Sequence, residues 1–169
     1  FGRRRWPHRK AFSLCTEAGQ TSALSWSEFS QRVLNFSAAL GSLGVEKGDR
    51  VLLISENRIE WPVSYFSVAM AGAVIVPVLI DFLPEHIENI IQHAEISFVL
   101  ISEKTKDKIP ASLKDKLTLV YIDTLSASGV LVKEAGKDAR QLPLFPNTEY
   151  TEQDPDDLVA ILYTSGTSG

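Results

Sequence analysis

Hydrophobic and polar residues follow two different periods along this chain, and each period predicts its own kind of element. A helix is predicted to follow Ser25, because Ser25 and Glu28 have the spacing of a capping box. Apolar residues then recur at intervals of four and three, which places one stripe on a helix face: Phe29, Val33, Phe36, Leu40 and Leu43. Gly44 follows at the point where a residue in the left-handed conformation would end that helix.

Short, uninterrupted apolar runs predict buried strands. Val51-Leu52-Leu53-Ile54 is typical of a strand that helices cover on both faces. The same patterns predict strands at 11–15, 21–24, 74–78, 96–101 and 117–122, and helices at 59–71, 84–94 and 103–115. Such alternation with short connections predicts an α/β fold with a mostly parallel sheet flanked by helices.

Two stretches depart from this alternation. Residues 125–155 contain prolines and scattered polar residues, which predict a surface excursion with a short helix near Val130 to Ala135, before a strand begins at Leu158. Residues 61–80 carry no charge and have about the length of a membrane span. Gly72 and Pro77 interrupt that run, so we favour a helix, a glycine stop and a buried strand over a span.

Composition and charge narrow the class of protein. The chain has 169 residues, of which 44% are hydrophobic and 22% charged, as in a globular domain. Its net charge of −4 gives no reason to expect nucleic-acid binding. Cys15 is the single cysteine, so a reducing, cytoplasmic setting is favoured, and we expect it to be buried. The first ten residues are basic, which predicts either a solvated segment or a patch for anionic lipid or polyphosphate: Arg3, Arg4, Arg5, Arg9 and Lys10.

The run from Asp156 to Gly169 carries the strongest candidate chemistry. Its apolar part, 158–163, leads into a segment that contains only Thr, Ser and Gly, namely Thr164, Ser165, Gly166, Thr167, Ser168 and Gly169. Backbone N–H groups and hydroxyls with little side-chain bulk suit a phosphate chain. The segment matches neither a Walker A loop, which needs a lysine, nor the Rossmann glycine spacing. On spacing alone, a Ser/Thr-rich turn stays open as an alternative.

Tyr163 to Gly169 closely resembles the phosphate-binding signature of the adenylate-forming enzymes, roughly [YF]-T-S-G-[ST]-[TS]-G-x-P-K-G. That superfamily includes acyl-CoA synthetases, adenylation domains of peptide synthetases and luciferases. Ser168 stands where the family more often has threonine. Other stretches resemble family elements in the family order: 7–11, 25–29, 44–51, 71–78 and 156–159. Residues 1–169 therefore resemble the N-terminal portion of the AMP-binding domain of an acyl-CoA synthetase-like fold, ending inside the phosphate-binding loop.

The resemblance implies a ligase that uses ATP, Mg²⁺ and coenzyme A to convert a carboxylic acid, through an acyl-adenylate, into a thioester. It assigns ATP phosphate binding to Thr164, Ser165, Gly166, Thr167, Ser168 and Gly169. Residues 83–101 resemble long-chain members, which favours a fatty acid. The alternatives are an aryl- or amino-acid-activating enzyme and a truncated, non-enzymatic binding module. The remaining family motifs would lie beyond Gly169, so no catalytic residue is identifiable, and we expect the isolated chain to be inactive.

Other groupings of polar side chains are weaker. His86 and His93 share a predicted helix face but lack a third ligand, so exposed polar residues are favoured over a metal site. An acidic loop is likewise favoured over a magnesium site at Asp154, Asp156 and Asp157. The expected partners are therefore small molecules, together with peripheral membrane contact if the substrate is a fatty acid.

Overall fold

The computed structural model describes residues 2–15, 19, 21–126, 128–144, 146 and 152–164. Its strands are β1 (Lys10–Cys15), β2 (Thr21–Ser25), β3 (Arg50–Ile54), β4 (Val74–Pro77), β5 (Phe98–Ile101), β6 (Thr118–Tyr121), β7 (Gly129–Lys133) and β8 (Arg140–Pro143). Its α-helices are α1 (Gly2–Arg5), α2 (Trp26–Ser42), α3 (Glu60–Met70), α4 (Pro84–His93) and α5 (Ala111–Lys114). Turns of 3₁₀-helix cover Glu103–Lys108 and Ile122–Thr124.

The main sheet has six strands in the order β4-β3-β5-β6-β7-β8. The first four are parallel, while β7 and β8 add to the β6 edge as an antiparallel hairpin. The predicted α/β class is confirmed, and the sheet is mixed. The separate β1–β2 hairpin packs on α2, where the rings of Phe12 and Phe29 lie 4.8 Å apart.

Two core clusters lie on the two faces of this sheet. Val51 and Leu53 of β3 belong to the cluster with α2 and α3, whereas Leu52 and Ile54 belong to the cluster with α4. All four of these side chains are completely buried. The uninterrupted apolar run in β3 therefore follows from helices that cover both faces of the sheet.

Helices α2, α3 and α4 end in the same way before β3, β4 and β5. After α2, Gly44 has a φ of +92°, and the N–H groups of Gly44 and Val45 donate to the carbonyls of Gly41 and Leu40. This is the Schellman arrangement, and Gly72 repeats it after α3 with a φ of +79°. The predicted glycine ends of both helices are confirmed.

The third of these helix ends uses Glu95 instead of glycine. Its φ is +50°, and the Ile96 N–H donates to the Ile91 carbonyl as the motif requires. Arg50 holds this end in place: its Nε donates to the Ala94 carbonyl at 2.7 Å, and its guanidinium pairs with Glu95 at 2.7 Å. The ion pair with Arg50 of the neighbouring strand thus supports a backbone conformation that residues other than glycine rarely adopt.

Three sequence expectations for the chain before residue 152 were wrong. The short helix near Val130 to Ala135 is strand β7, in which Val130 and Val132 are fully buried while Leu131 is partly exposed, a period of two. The helix predicted over 103–115 is a 3₁₀ segment followed by α5, because Pro110 lacks the N–H that a continuous helix needs. Cys15 is exposed, since it lies at the end of a hairpin strand. In the described part of the chain, no helix is both long and apolar enough to cross a bilayer.

Candidate functional site

The carboxyl ends of the four parallel strands lie together at one end of the sheet. We call this end the carboxyl edge, which is distinct from the free side of the outermost strand β4. Strand β3 continues through α3 to β4 on one side, whereas β5 continues through the 3₁₀ segment to β6 on the other. The connections from these two neighbouring strands therefore leave in opposite directions. Ligands of open α/β sheets bind in the crevice that such a divergence creates.

Arg58 connects the loops at this edge through hydrogen bonds to three carboxylates. Its Nε donates to Glu60 at 2.8 Å, and its Nη1 contacts Glu56 at 3.3 Å and also donates to Asp123. Burial disfavours the charged guanidinium, but the hydrogen bonds to Glu60 and Asp123 outweigh it, so the pKa of Arg58 is raised above its ordinary value. We call Arg58, Glu56, Glu60 and Asp123 the Arg58 network.

Two further contacts connect the Arg58 network to the end of β5. Ser102 is completely buried, and its hydroxyl donates to Glu56 at 2.6 Å. The Glu103 N–H donates to Asp123 at 2.6 Å. The loops after β3, β5 and β6 are thus held by charge-assisted hydrogen bonds. Among the described residues, no three His, Cys, Asp or Glu side chains form a group that could hold a metal ion.

Residues 157–164, which we call the edge segment, run along the free edge of β4. The Ile75 N–H donates to the Val159 carbonyl at 2.9 Å, and the Ile161 N–H donates back to the Ile75 carbonyl at 3.0 Å. These bonds form one parallel bridge between Ile75 and Ala160. The strand predicted from Leu158 is therefore reduced to a bridge, with Leu158 59% exposed and Leu162 71% exposed.

An ion pair anchors the beginning of the edge segment. Lys47 Nζ lies 2.6 Å from the Asp157 carboxylate, and the Asp154 N–H donates to the same oxygen at 2.8 Å. The hydrogen bond from Lys47 and then the one from the Asp154 N–H hold the pKa of Asp157 below its ordinary value. We call this contact the Lys47 anchor. It attaches the turn before the edge segment to the turn before β3.

A second contact anchors the other end of the edge segment. The Tyr163 hydroxyl lies 2.7 Å from Nδ1 of His93, the last residue of α4, and the two rings meet edge to face at 5.9 Å. Tyr163 also packs against the core cluster on the α4 face. We call this contact the His93 anchor. His86 and His93 are both exposed, as predicted, but the partnership of His93 with Tyr163 has no signal in local spacing.

Thr164 reaches the carboxyl edge between two cavities. The first, of about 610 Å³, lies towards α4 and is lined by Leu79, Asp81, Phe82, His86, Asn89, Ile90, Tyr163 and Thr164. The second, of about 550 Å³, lies towards α3, and its lining includes Ser55, Glu56, Trp61, Tyr65, Leu162 and Thr164. Both volumes are in the range of small-molecule sites. We call them the α4 cavity and the α3 cavity.

The structure therefore places one of the six predicted phosphate-binding residues. Thr164 is exposed at the rim shared by the α3 and α4 cavities. Ser165, Gly166, Thr167, Ser168 and Gly169 lie outside the described residues. The local sequence did not indicate the Arg58 network, the Lys47 anchor or the His93 anchor, because each joins residues far apart in the chain.

Comparison with known proteins identifies the class to which this fold and edge segment belong. The family model described as "AMP-binding enzyme" matches residues 3–169, so the chain belongs to the AMP-binding enzyme family. The resemblance drawn from the sequence is confirmed. Adenylate-forming ligase domains also share the α/β fold.

Three individual proteins illustrate this relationship. The 4-hydroxybutyrate–CoA ligase 2 of Metallosphaera sedula is 30% identical over 88% of this chain and 28% of its own length. The fatty acyl-CoA synthetase A of Dictyostelium discoideum is 30% identical over 89% of the chain and 24% of its own length. The N-terminal subdomain of Klebsiella oxytoca NpsA, solved with 3-hydroxybenzoyl-AMSN, superposes with a TM-score of 0.74 at 20% identity, over 99% of this chain and 36% of that one. The chain thus spans about a quarter of the length of these curated relatives.

Proposed function

We propose that the protein containing this chain activates a carboxylic acid with ATP and transfers the acyl group to coenzyme A. The observation that carries the proposal is the position of Thr164. It belongs to a sequence that matches the AMP-binding family throughout residues 3–169 and stands where two cavities meet at the carboxyl edge of the sheet. Parallel sheets bind ligands at that edge. The combined space suits a nucleotide on one side and an acid on the other.

The first chemical step explains why a loop of this composition is useful. A substrate carboxylate oxygen attacks the α-phosphorus of ATP, the bond to the bridging oxygen breaks, and pyrophosphate leaves. Negative charge accumulates on the departing phosphates, so fixed N–H and hydroxyl donors lower the barrier. We assign this role to Thr164, Ser165, Gly166, Thr167, Ser168 and Gly169. In the second step the thiol of coenzyme A loses its proton to solvent, its sulfur attacks the acyl carbon, and AMP leaves with the electron pair of the broken C–O bond.

The two anchors give this loop a fixed starting point. The Lys47 anchor holds the beginning of the edge segment, and the His93 anchor holds Tyr163 next to Thr164. Catalysis by pre-positioned donors depends on such support, because a loop displaced by about 1 Å loses much of its effect. Lys47 and His93 are therefore positioning residues in this proposal. Mg²⁺ would accompany ATP, and we assign no described residue to it.

A fatty acid is the substrate that we favour. The likeness of residues 83–101 to long-chain members and the relationship to a fatty acyl-CoA synthetase of Dictyostelium support it. Leu79 and Leu162 also present exposed apolar side chains at the α3 cavity. An aryl acid is the second candidate, because Trp61 and Tyr65 stack at 5.5 Å in the wall of the same cavity and suit a flat ring.

Residues 1–169 are, in this proposal, the N-terminal portion of an adenylation domain whose phosphate-binding loop begins at Thr164. We propose that residues 1–169 alone are catalytically inactive, since they span about a quarter of the length of their curated relatives. A non-enzymatic binding module is the competing interpretation. The two differ in the full-length protein, which must exchange pyrophosphate into ATP if it is an enzyme.

The decisive experiment is acid-dependent exchange of labelled pyrophosphate into ATP by the full-length protein. A panel of fatty, aryl, hydroxy and amino acids is tested at equal concentration. Exchange that is strongest with fatty acids, followed by thioester formation when coenzyme A is added, is the expected result. Strongest exchange with aryl acids would replace the favoured substrate, and no exchange with any acid would support the binding module. Residues 1–169 serve as the inactive control.

A further inference from the structure

The N-terminal part of the chain forms a basic surface that the proposed reaction does not use. Its five cations lie within ten residues, and no acidic residue precedes Glu17: Arg3, Arg4, Arg5, Arg9 and Lys10. This concentration contrasts with a net charge of −4 for the chain. Arg4, Arg5, Arg9 and Lys10 are exposed. We call residues 3–10 the basic segment.

Aromatic side chains accompany these cations. The guanidinium carbons of Arg5 and Arg9 lie 5.0 Å and 5.6 Å from the centre of the Trp6 ring, and Trp6 is 36% exposed. Beside the basic segment, Phe66 of α3 is 47% exposed, and its ring meets Phe29 edge to face at 5.6 Å. Arginine and tryptophan together are typical of the interface between lipid headgroups and acyl chains.

A groove joins the two kinds of side chain. It has a volume of about 260 Å³, and none of the described residues that line it carries a carboxylate. Arg3 and Arg4 line it, and the rest of its lining is mostly apolar: Phe29, Ser30, Val33, Leu34, Phe66 and Met70. Two arginines together with a mostly apolar lining fit a phosphate or carboxylate headgroup attached to hydrocarbon better than they fit a fully polar polyanion.

We propose that the basic segment, Phe66 and this groove form a docking surface for an anionic lipid bilayer. Basic residues at an anionic membrane surface each strengthen binding by about fivefold, and exposed aromatic rings add apolar contact. The surface lies on α1, α2 and α3, whereas the α4 cavity lies on the other face of the sheet. Binding would hold the protein at a membrane, where amphiphilic acids concentrate.

The test measures partition of the full-length protein onto vesicles of phosphatidylcholine, with and without 30% phosphatidylserine. Tighter binding to the anionic vesicles, weakened by added salt, is expected. Arg4→Glu/Arg9→Glu should lose at least about twentyfold in partition. The matched control is Lys104→Glu/Lys116→Glu. It replaces two exposed lysines elsewhere on the protein, changes the net charge by the same amount, and should retain binding. Arg4→Gln/Arg9→Gln, with circular dichroism of all variants, separates loss of charge from loss of folding.

Three results would overturn the proposal. One is equal loss in the Lys104/Lys116 control, which would mean that only net charge matters. Another is full binding by Arg4→Glu/Arg9→Glu. The third is tight binding to inorganic polyphosphate that depends on Arg4 and Arg9 without any binding to vesicles, which would make the surface a polyanion site. The readout is independent of acid activation, so failure of membrane docking and failure of the proposed reaction are distinguishable.

Discussion

Strand β5 and the edge segment are both apolar and both lie beside parallel strands, yet they are held in different ways. Leu100 and Ile101 of β5 are completely buried between β3 and β6. Within the residues that the structure describes, the edge segment has one neighbouring strand and a single bridge at Ala160, and the side chains of Leu158 and Leu162 are exposed. Packing on both faces therefore fixes β5. The edge segment is only partly buried against the core, at Ala160, Ile161 and Tyr163, and polar contacts at its two ends add to that packing.

Because of this difference, we expect the interior strands to determine the stability of the sheet and the edge segment to determine the position of the candidate site. The interior strands supply buried area, and their side chains take no part in the candidate site. The edge segment adds little buried area but determines where Thr164 stands. Substitutions in β5 should consequently change the free energy of unfolding, and substitutions at the anchors should change ATP binding.

The largest effect is expected in the sheet interior. Leu100→Ala removes a fully buried side chain and leaves a cavity, so the free energy of unfolding should fall by about 2–5 kcal/mol. Leu162→Ala is the matched control in the edge segment, because the same atoms are removed from a side chain that is 71% exposed. That change should stay within about 0.5 kcal/mol. Urea unfolding of both variants measures the contrast, and equal losses would refute it.

Next in size is the loss of the Arg58 network. Arg58→Met keeps most of the side-chain volume but leaves three partly buried carboxylates without their common partner. The free energy of unfolding should fall by about 1–3 kcal/mol. Lys133→Met is the control, since the Asp115 that it pairs with is 80% exposed, and its effect should be smaller. A larger loss in the control would show that the Arg58 network does not hold the edge of the sheet.

The Lys47 anchor should matter more for ATP than for folding. Lys47→Met removes the ion pair with Asp157, so the edge segment should lose its fixed start and the KM for ATP should rise several-fold. The melting temperature should change little, because Lys47 is half exposed. Lys104→Met, which removes another exposed lysine, should leave both quantities unchanged. An unchanged KM in Lys47→Met would show that this ion pair does not position the edge segment.

The pH dependence of this anchor has a definite sign. The pKa of Asp157 is lowered in the folded protein, so its stabilising contribution is complete above the ordinary carboxyl pKa of about 3.9. The contribution is lost as the pH falls through the lowered folded value. NMR titration of the Asp157 carboxyl carbon should show a pKa below the ordinary value, which Lys47→Met moves upward. A pKa unchanged by that substitution would mean that Lys47 is not the cause of the shift.

The smallest effect is expected at the His93 anchor. One hydrogen bond between partly exposed groups is worth about 0.5–1 kcal/mol, or a few-fold in ATP affinity. A double-mutant cycle with His93→Ala and Tyr163→Phe should yield a coupling energy of this size in ATP binding. Additive effects of the two substitutions would show that the contact does not position the segment.

The elements that sequence predicted correctly are those with local causes. Gly44 and Gly72 ended their helices as expected, because a left-handed residue after a helix strongly favours glycine. Glu95 takes the same conformation with the support of Arg50, which is far away in sequence. Strand β7 was missed because its apolar alternation covers only five residues, which is too short to distinguish a strand from a helix. Its pairing with β6 and β8 makes it a strand.

The candidate site likewise has a part that the sequence predicted and a part that it did not. The composition of residues 164–169 left a Ser/Thr-rich turn open, and their resemblance to the family signature is what predicted phosphate binding, which stays a prediction for all six residues. Both anchors were beyond sequence reasoning, since Lys47 and Asp157 are 110 positions apart and His93 and Tyr163 are 70 apart. Only the folded sheet brings β4, α4 and the edge segment together.

The most direct test of the account is the specificity constant for ATP in acid-dependent pyrophosphate exchange by the full-length protein, compared between Thr164→Val and Leu158→Ala. Thr164→Val replaces the hydroxyl with a methyl group at nearly constant volume, whereas Leu158→Ala alters an exposed side chain at the other end of the edge segment. We predict that Thr164→Val loses at least about tenfold in kcat/KM for ATP, with an unchanged melting temperature, and that Leu158→Ala stays within about twofold. Full activity in Thr164→Val, or an equal loss in Leu158→Ala, would contradict the assignment of the phosphate site to the Thr164 end of the edge segment.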